Sequence, residues 1–309
     1  MWYNNFMEYR YNYLNNFLKN KFGERTLKIC IEGGFSCPNR DGKKGFDGCI
    51  FCSNKGSGDH LVKRDITKQV EDYLKSDRSK RANRYIAYFQ SFTNTYAAVD
   101  ELKEKYDAAL IDDRIVALDI ATRPDEITDE VVELLKTYTS KYYVWVELGF
   151  QTSNENTGKL INRCYSNVDF EQAVNKLKAN GIDVVTHIMV GLPGEKHEDI
   201  VDTVEFINRQ KVDGIKIHST YVLKNTALEK LYLEGKYSPM NFEEYMDELI
   251  YIITHLREDI VIHRFSGDPP KELLVGPEWM NHKKWIMNGL NKRMEQEDLR
   301  QGMFKTYWN

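Results

Sequence analysis

The chain has 309 residues, with 43 Lys and Arg against 47 Asp and Glu, which gives a formal net charge of −4. Apolar residues make up 41% and charged residues 29%, a composition that is typical of globular proteins and excludes disordered and fibrous classes. The slightly acidic balance removes overall positive charge as an argument for nucleic-acid binding.

From residue 26 onward, strand and helix patterns alternate. The predicted strands, in chain order, are 26–31, 84–89, 115–121, 142–148, 183–190 and 214–220, with one more short strand at 260–263. The predicted helices are 66–75, 96–110, 128–138, 167–179, 198–209, 226–234 and 241–256. Six strands that are each followed by a helix predict a parallel sheet, in a barrel or partial barrel, with its chemistry at the carboxyl ends of the strands.

The length would allow two domains, but the alternation predicts one main domain, 26–265, between an amino-terminal extension, 1–25, and a carboxyl-terminal extension, 266–309. The first residues lack the basic and apolar regions of a signal peptide. Every stretch of about 20 residues carries charge, so no membrane span is expected. We therefore expect a cytoplasmic protein.

Five cysteines are too few, and odd in number, for a secreted disulfide scaffold. Three of them, Cys37, Cys49 and Cys52, lie in a glycine-rich loop at 32–59 with the spacing C-x11-C-x2-C. Three thiolates can hold three irons of a 4Fe–4S cluster and leave one iron open. By spacing alone, a zinc site with Cys30 or His60 as fourth ligand is an equal alternative. Otherwise Cys30 is expected in the core, and Cys164 as a free, packed thiol.

The residues around these cysteines carry a family resemblance. The segments GGFSCPNRDG at 33–42, DGCIFCS at 47–53 and GSGD at 56–59 resemble the YhcC/YtqA-type subgroup of the radical S-adenosylmethionine (SAM) superfamily. The first gap is longer than in the usual C-x3-C-x-aromatic-C motif, whose aromatic residue is Phe51 here. Further similar segments lie at 88–96, 121–125, 145–152, 160–163, 186–195 and 213–218, so the resemblance covers about residues 10 to 290.

The resemblance implies a partial (β/α)6 TIM-like barrel, in agreement with the six-strand count. It implies that Cys37, Cys49 and Cys52 are the catalytic ligands of a 4Fe–4S cluster, whose open iron binds SAM. Reductive cleavage of SAM would give a 5′-deoxyadenosyl radical that abstracts hydrogen from a substrate. An electron donor such as flavodoxin or ferredoxin would supply the electron.

The same resemblance implies a set of SAM contacts near the strand ends: Phe51, Gln90, Thr93, Asn94, Thr95, Thr122, Arg123, Glu147, Gln151, Arg163, His187 and Gly191. Glu147 and Gln151, placed at the end of the fourth strand, would face the ribose or amino group, His187 the ribose, and Arg163 the carboxylate. The alternatives are loop packing for Phe51 and a helix cap for 93–95. For Glu147, Gln151 and Arg163 the alternative is a structural ion-pair network, and for His187 it is a buried histidine that the backbone satisfies. Open roles near a substrate entrance remain for Lys216, His218, Tyr221, His263 and Arg264.

Residues 215–226 are also similar to the radical SAM part of the Elongator catalytic subunit, which modifies C5 of the wobble uridine of tRNA. This implies a tRNA substrate, with a carboxymethylaminomethyl group trimmed to aminomethyl. A radical SAM enzyme acting on a small molecule or protein, and a zinc-stabilised binding module, are the alternatives. Residues 1–30 and 279–309 each carry a net charge of +3. If these ends bind tRNA, their aromatic residues would stack on bases. The alternative is that each end packs on the barrel as an amphipathic helix. The aromatic residues are Tyr9, Tyr11, Tyr13, Phe17, Trp279, Trp285, Phe304 and Trp308.

Overall fold

The structure is a computed structural model that describes residues 10–56 and 58–305. Its main feature is a curled half-barrel of seven parallel strands. In spatial order the strands are β1 (Thr26–Ile31), β2 (Arg84–Phe89), β3 (Ile115–Thr122), β4 (Tyr143–Gln151), β5 (Asp183–Val190), β6 (Gly214–Ser219) and β8 (Val261–Arg264). Two short strands, β7 (Val222–Leu223) and β9 (Leu274–Gly276), form a separate antiparallel pair.

Helices connect and cover the strands. They are α1 (Leu14–Phe22), α2 (Ile66–Lys75), α3 (Val99–Ala109), α4 (Asp129–Tyr138), α5 (Glu155–Leu160), α6 (Asn167–Ala179), α7 (His197–Arg209), α8 (Ala227–Leu233), α9 (Phe242–His255) and α10 (Lys283–Gln296). The partial barrel predicted from the sequence is confirmed, with the short strand β8 as its seventh member. None of the helices within the described ranges is long and apolar enough to span a membrane.

Alternation along the strands separates two apolar clusters. Outward-facing residues such as Ile29, Leu118 and Val146 pack against the helices in the main core. Inward-facing residues form a smaller cluster inside the half-barrel, an interior that we call the lumen. Leu14 and Leu18 of α1 belong to the lumen cluster of apolar residues and cover the amino ends of the strands. The open end of the lumen is therefore the carboxyl end.

The described parts of the two terminal extensions pack on the rest of the fold. Tyr11 and Trp279 are buried in the main core, so these two rings are not available to stack on bases. Trp285 and Phe304 are exposed, whereas Tyr9 and Trp308 lie outside the described residues. The helices α1 and α10 fit the alternative of terminal helices packed on the barrel.

Candidate active site at the carboxyl ends of the strands

The cysteine loop follows β1 and is fixed to the turn after α5. The Asn39 side chain donates to the Asn162 carbonyl at 2.7 Å, and the Asn162 side chain donates to the Gly48 carbonyl at 2.7 Å. The backbone N–H of Ile50 donates to Ile161 at 3.2 Å. These bonds fix the cysteine loop against the turn after α5, and the Cys49 thiol lies 3.6 Å from the Asn162 carbonyl oxygen.

Cys37, Cys49 and Cys52 are free thiols on this loop, close enough to influence one another electrostatically. Burial raises the pKa of Cys49 to about 12 and also raises the pKa of Cys52, where Arg40 acts in the opposite direction. Arg40 donates to the Cys52 and Ser53 carbonyls at 3.1 and 2.8 Å. Within the described ranges, no three His, Cys, Asp or Glu side chains are grouped to hold a single metal ion.

The other cysteines lie elsewhere. Cys30 packs in the lumen from β1, as expected for a core residue, and His60 is exposed. Cys164 is free but exposed, so the prediction of a packed thiol is wrong. It lies in a turn with a φ of 60°, and its thiol donates to the Asn162 side chain at 3.1 Å instead of packing in the core.

The segment after β2 contains buried polar side chains with unused hydrogen-bonding atoms. Thr93, Asn94 and Thr95 are all buried. Asn94 donates to the Ala121 carbonyl at 2.7 Å, and the Thr95 and Thr122 hydroxyl oxygens are 2.6 Å apart. Within the described residues, no partner exists for four buried atoms near this edge: Asn39 Oδ1, Ser91 Oγ, Thr93 Oγ1 and Asn94 Oδ1. Buried polar atoms without partners indicate a ligand here.

The helix-cap alternative for this segment is wrong. The next helix, α3, has Ala98 as its N-cap, and neither Asn94 nor Thr95 contributes to it. Asn94 instead connects the end of β2 to β3. Its bonds hold the segment against the strand ends, where the family resemblance expects SAM.

Two arginines near this edge are held by internal contacts. Arg123 forms a bidentate ion pair with Asp125 at 3.0 and 2.9 Å and donates to the Arg163 carbonyl at 3.2 Å. The five N–H groups of the fully buried Arg163 donate to Phe150 O, Thr152 O, Tyr165 O, Glu155 and Asn167. A guanidinium has five N–H donors, so a contact between Arg163 and the SAM carboxylate would require one of these bonds to break. That contact stays a prediction.

Three further predicted contacts lie at or near the same edge. Gln151, the last residue of β4, has a φ of 66° and accepts from the Tyr165 hydroxyl at 2.7 Å. Gly191 follows β5 with a φ of 80°, a conformation that side-chain-bearing residues rarely adopt. Gln90 follows β2, and Phe51 packs with an apolar cluster that includes Val222. The packing of Phe51 anchors the cysteine loop.

Glu147 lies inside the lumen and not at the end of β4 as predicted. The strand continues to Gln151 through an irregularity between Gly149 and Gln151, where Phe150 packs against Phe170 with ring centroids 4.4 Å apart. Glu147 accepts from Lys28 at 3.1 Å and from Tyr88 at 2.8 Å, it pairs with Lys216, and His187 Nε2 lies 3.0 Å away.

These contacts join side chains from six strands. Lys28 also pairs with Asp119 at 2.5 Å, and Lys216 donates to the Tyr88 hydroxyl at 3.0 Å. We call Lys28, Tyr88, Asp119, Glu147, His187 and Lys216 the lumen network. The side chains of Asp119 and Glu147 are 0% exposed, whereas those of Lys28 and His187 are 20% and 21% exposed, so the network is partly accessible at both Lys28 and His187.

The pKa values of the two carboxylates in the lumen network are shifted in opposite directions. Burial would raise the pKa of Glu147, but Lys216 and Lys28 hold it well below the usual range. Burial and the neighbouring Glu147 raise the pKa of Asp119 well above its usual range. Burial lowers the pKa of Lys216 to about 8 against the attraction of Glu147, and burial also lowers the pKa of His187. Glu147 is thus the firmly ionised member.

Sequence reasoning missed Lys28, Tyr88 and Asp119. Each lies in the middle of a strand at an inward position, in TLKICI, RYIAYF and IVALDIAT respectively. The available signal was a polar side chain at every second position of otherwise apolar strands. The open predictions differ in outcome: His218 and His263 have buried ring nitrogens and lie at inward positions, whereas Arg264 pairs with Asp268 at 3.5 Å. Tyr221 is half-buried and lies against Gly267.

The half-barrel with a three-cysteine loop above a polar lumen defines the radical SAM class of proteins. Residues 36–207 match the radical SAM superfamily, and residues 212–296 match the radical SAM C-terminal domain. The chain belongs to the radical SAM superfamily, whose members use a 4Fe–4S cluster and SAM. The protein is therefore an enzyme, and the family assignment favours a cluster over zinc for the cysteine loop.

Individual relatives cover nearly the whole chain. It is 40% identical to the uncharacterized protein YtqA of Bacillus subtilis, over 96% of this chain and 93% of YtqA. It is 32% identical to YhcC of Escherichia coli, over 94% of each chain. A partial relative is the tRNA uridine(34) acetyltransferase of Methanocaldococcus infernus, 29% identical over 52% of this chain and 30% of that protein.

The fold is also similar to a solved structure. Elp3 of Methanocaldococcus infernus, with an N-terminal deletion, superposes with a TM-score of 0.67 at 19% identity. The match covers 89% of this chain and 64% of the other, so this chain spans less than two thirds of Elp3. This likeness concerns the fold.

Proposed function

We propose that this radical SAM enzyme abstracts a hydrogen atom from the C5 side chain of a tRNA wobble uridine, in trimming carboxymethylaminomethyl to aminomethyl. The observation that carries the proposal is the partial relationship to a tRNA uridine(34) acetyltransferase. The fold shared with Elp3 is consistent with it. Because the match covers only 30% of that relative, its acetyl-transfer reaction is not part of the proposal.

Cys37, Cys49 and Cys52 are the proposed ligands of the 4Fe–4S cluster. The fit rests on three free thiols in a loop fixed by Asn39 and Asn162, beside buried polar atoms without partners. When bound, the cluster and SAM supply a 5′-deoxyadenosyl radical. A flavodoxin or ferredoxin is the proposed source of the electron.

The residues of the chain bind and orient SAM in this proposal. Ser91, Thr93 and Asn94 have buried oxygen atoms free to bind SAM's polar groups, and Gln151 and Gly191 line the same edge. The remaining proposed contacts are Phe51, Gln90, Thr95, Thr122, Arg123 and Arg163. Glu147 and His187 lie deeper, in the lumen network, so the SAM contacts predicted for them stay predictions and are not part of this proposal.

Nucleoside analysis of tRNA tests the substrate. We expect tRNA from cells lacking the gene to accumulate 5-carboxymethylaminomethyluridine, and the wild-type gene to reverse the accumulation. A gene encoding Cys49→Ala should fail to reverse it, while one encoding Cys164→Ala, which alters the exposed thiol, should succeed. An unchanged wobble-uridine profile would contradict the tRNA proposal and favour a small-molecule or protein substrate.

A further inference from the structure

The lumen contains polar atoms whose hydrogen-bonding capacity is unused. Asp119 Oδ1, Trp145 Nε1, His218 Nε2 and His263 Nδ1 are buried and have no partner among the described residues. Asp119 and Trp145 are at most 1% exposed, and both occupy inward positions of adjacent strands that are paired in register. Leaving such atoms unpaired in a buried site costs free energy. These unpaired atoms favour a polar ligand in the lumen.

The charges of the lumen restrict what kind of polar group fits. Two ammonium groups, Lys28 and Lys216, face two carboxylates, Asp119 and Glu147. Both lysines contact Glu147, the firmly ionised carboxylate, so an anion brought to Lys216 and a cation brought to Glu147 would each meet an opposite charge. A group that carries one positive and one negative charge adds no net charge. It can exchange partners with an existing ion pair.

The Lys216–Glu147 pair is the one that can exchange. Lys28 contacts both carboxylates, whereas the hydrogen bonds of Lys216 to described residues go to Glu147 and the neutral Tyr88 hydroxyl. If Lys216 turns to a new anion, Glu147 still has contacts with Lys28, Tyr88 and His187. Lys216 also lies in β6 beside His187, whose side chain is 21% exposed.

We propose that the lumen network binds a zwitterionic substituent of the substrate, with Lys216 binding its carboxylate and Glu147 its ammonium group. This inference rests on the proposed function, because the carboxymethylaminomethyl group carries a secondary ammonium and a carboxylate joined by one carbon. Lys216 then determines specificity: it distinguishes a side chain that still has its carboxylate from the trimmed product. Product release follows from the loss of this ion pair.

A cycle of ligand and protein changes tests the inference. Three anticodon stem-loops would differ only at C5 of the wobble uridine, which carries carboxymethylaminomethyl, its methyl ester, or aminomethyl. Dissociation constants are measured anaerobically with the cluster-loaded protein and SAM, without reductant, so that no turnover occurs. We expect the wild type to bind the carboxylate RNA at least tenfold more tightly than the ester or the aminomethyl RNA.

The variant Lys216→Met should bind the three RNAs with dissociation constants within about twofold of one another, because it lacks the ammonium group that contacts the carboxylate. The tenfold preference expected of the wild type corresponds to about 1.4 kcal/mol of binding free energy. Lys211→Met, which changes an exposed lysine, should keep the wild-type preference. The wild-type comparison of acid and ester needs no variant, so the test stands even if Lys216→Met does not fold.

The outcomes separate the two proposals. A tenfold preference retained by a folded Lys216→Met protein would overturn the role of Lys216. Equal binding of acid and ester by the wild type would overturn zwitterion recognition, even where tRNA analysis supports the proposed function. An unchanged tRNA profile in cells lacking the gene would overturn both.

Discussion

Glu147 carries a buried charge that depends on several neighbouring side chains of the site. It is 0% exposed and contacts four hydrogen-bonding groups, two of which are ammonium groups. Removing one charge of a buried ion pair costs more than the pair itself contributes, because the remaining charges lose their counterion without regaining water. Glu147 therefore stabilises Lys28 and Lys216 in positions that would otherwise be unfavourable.

The substitution Glu147→Gln tests this role. It keeps the size of the side chain but removes the charge, and we expect the free energy of unfolding at neutral pH to fall by about 3–5 kcal/mol. Anaerobic urea unfolding measures the change. Glu133→Gln, on the exposed surface of α4, is the matched control and should change stability by less than about 0.5 kcal/mol.

The stability difference between Glu147→Gln and the wild type should depend on pH in a direction that follows from the pKa of Glu147. The folded-state pKa of Glu147 is held low, so its stabilising contribution is fully present above the unfolded pKa of about 4.3 and is lost as pH falls toward the folded value. The deficit of Glu147→Gln should therefore be largest near neutral pH and narrow below about pH 4.5. A deficit that grows on acidification would contradict the assignment of Glu147 as the ionised member.

At the scale of elements, the turn after α5 connects the cysteine loop with the sheet. Arg163 in this turn is bonded to β4, α5 and α6, and its carbonyl accepts from Arg123. The neighbouring Asn162 holds the cysteine loop. The position of Cys49 therefore depends on β4 through the hydrogen bonds of this turn.

Arg163→Lys tests whether this arginine is structural. A lysine supplies three donors from one atom where the arginine supplies five in a plane, so buried acceptors lose their partners. We expect a loss of about 2–4 kcal/mol in the free energy of unfolding without SAM. Arg209→Lys, on the exposed surface of α7, should be nearly neutral. Wild-type stability together with weakened SAM binding would instead favour the predicted contact with the SAM carboxylate.

Most elements could be predicted because local patterns decide them. The bounds of β1, β2, β5, α2 and α6 agree with the predicted ranges, and Thr128 caps α4 as predicted. The extension of β4 could not be predicted, because Gly149 is a usual signal for a strand end and the strand continues past it only through a shift of register, where Phe150 packs against Phe170. Likewise, α1 was not assigned from its polar sequence, and burial of Leu14 and Leu18 in the lumen explains why it forms.

At the scale of the whole molecule, the sequence located the cysteine loop and the strand ends but not the lumen network. Motif spacing identifies residues that are neighbours in sequence, such as Cys49 and Cys52. The network instead joins Lys28 to Glu147 and Lys216, which come together only through the register of six strands. A shift of one residue in any strand would turn its member outward. The division of the chain into a main domain and two extensions stays a prediction.

The central claim is that the cysteine loop supports reductive cleavage of SAM, and formation of 5′-deoxyadenosine tests it most directly. Anaerobically reconstituted protein would be incubated with dithionite and SAM, beside Cys49→Ala and the control Cys164→Ala. We expect 5′-deoxyadenosine from the wild type and Cys164→Ala, and none from folded Cys49→Ala. No product from cluster-loaded wild type, or equal product from Cys49→Ala, would contradict the account.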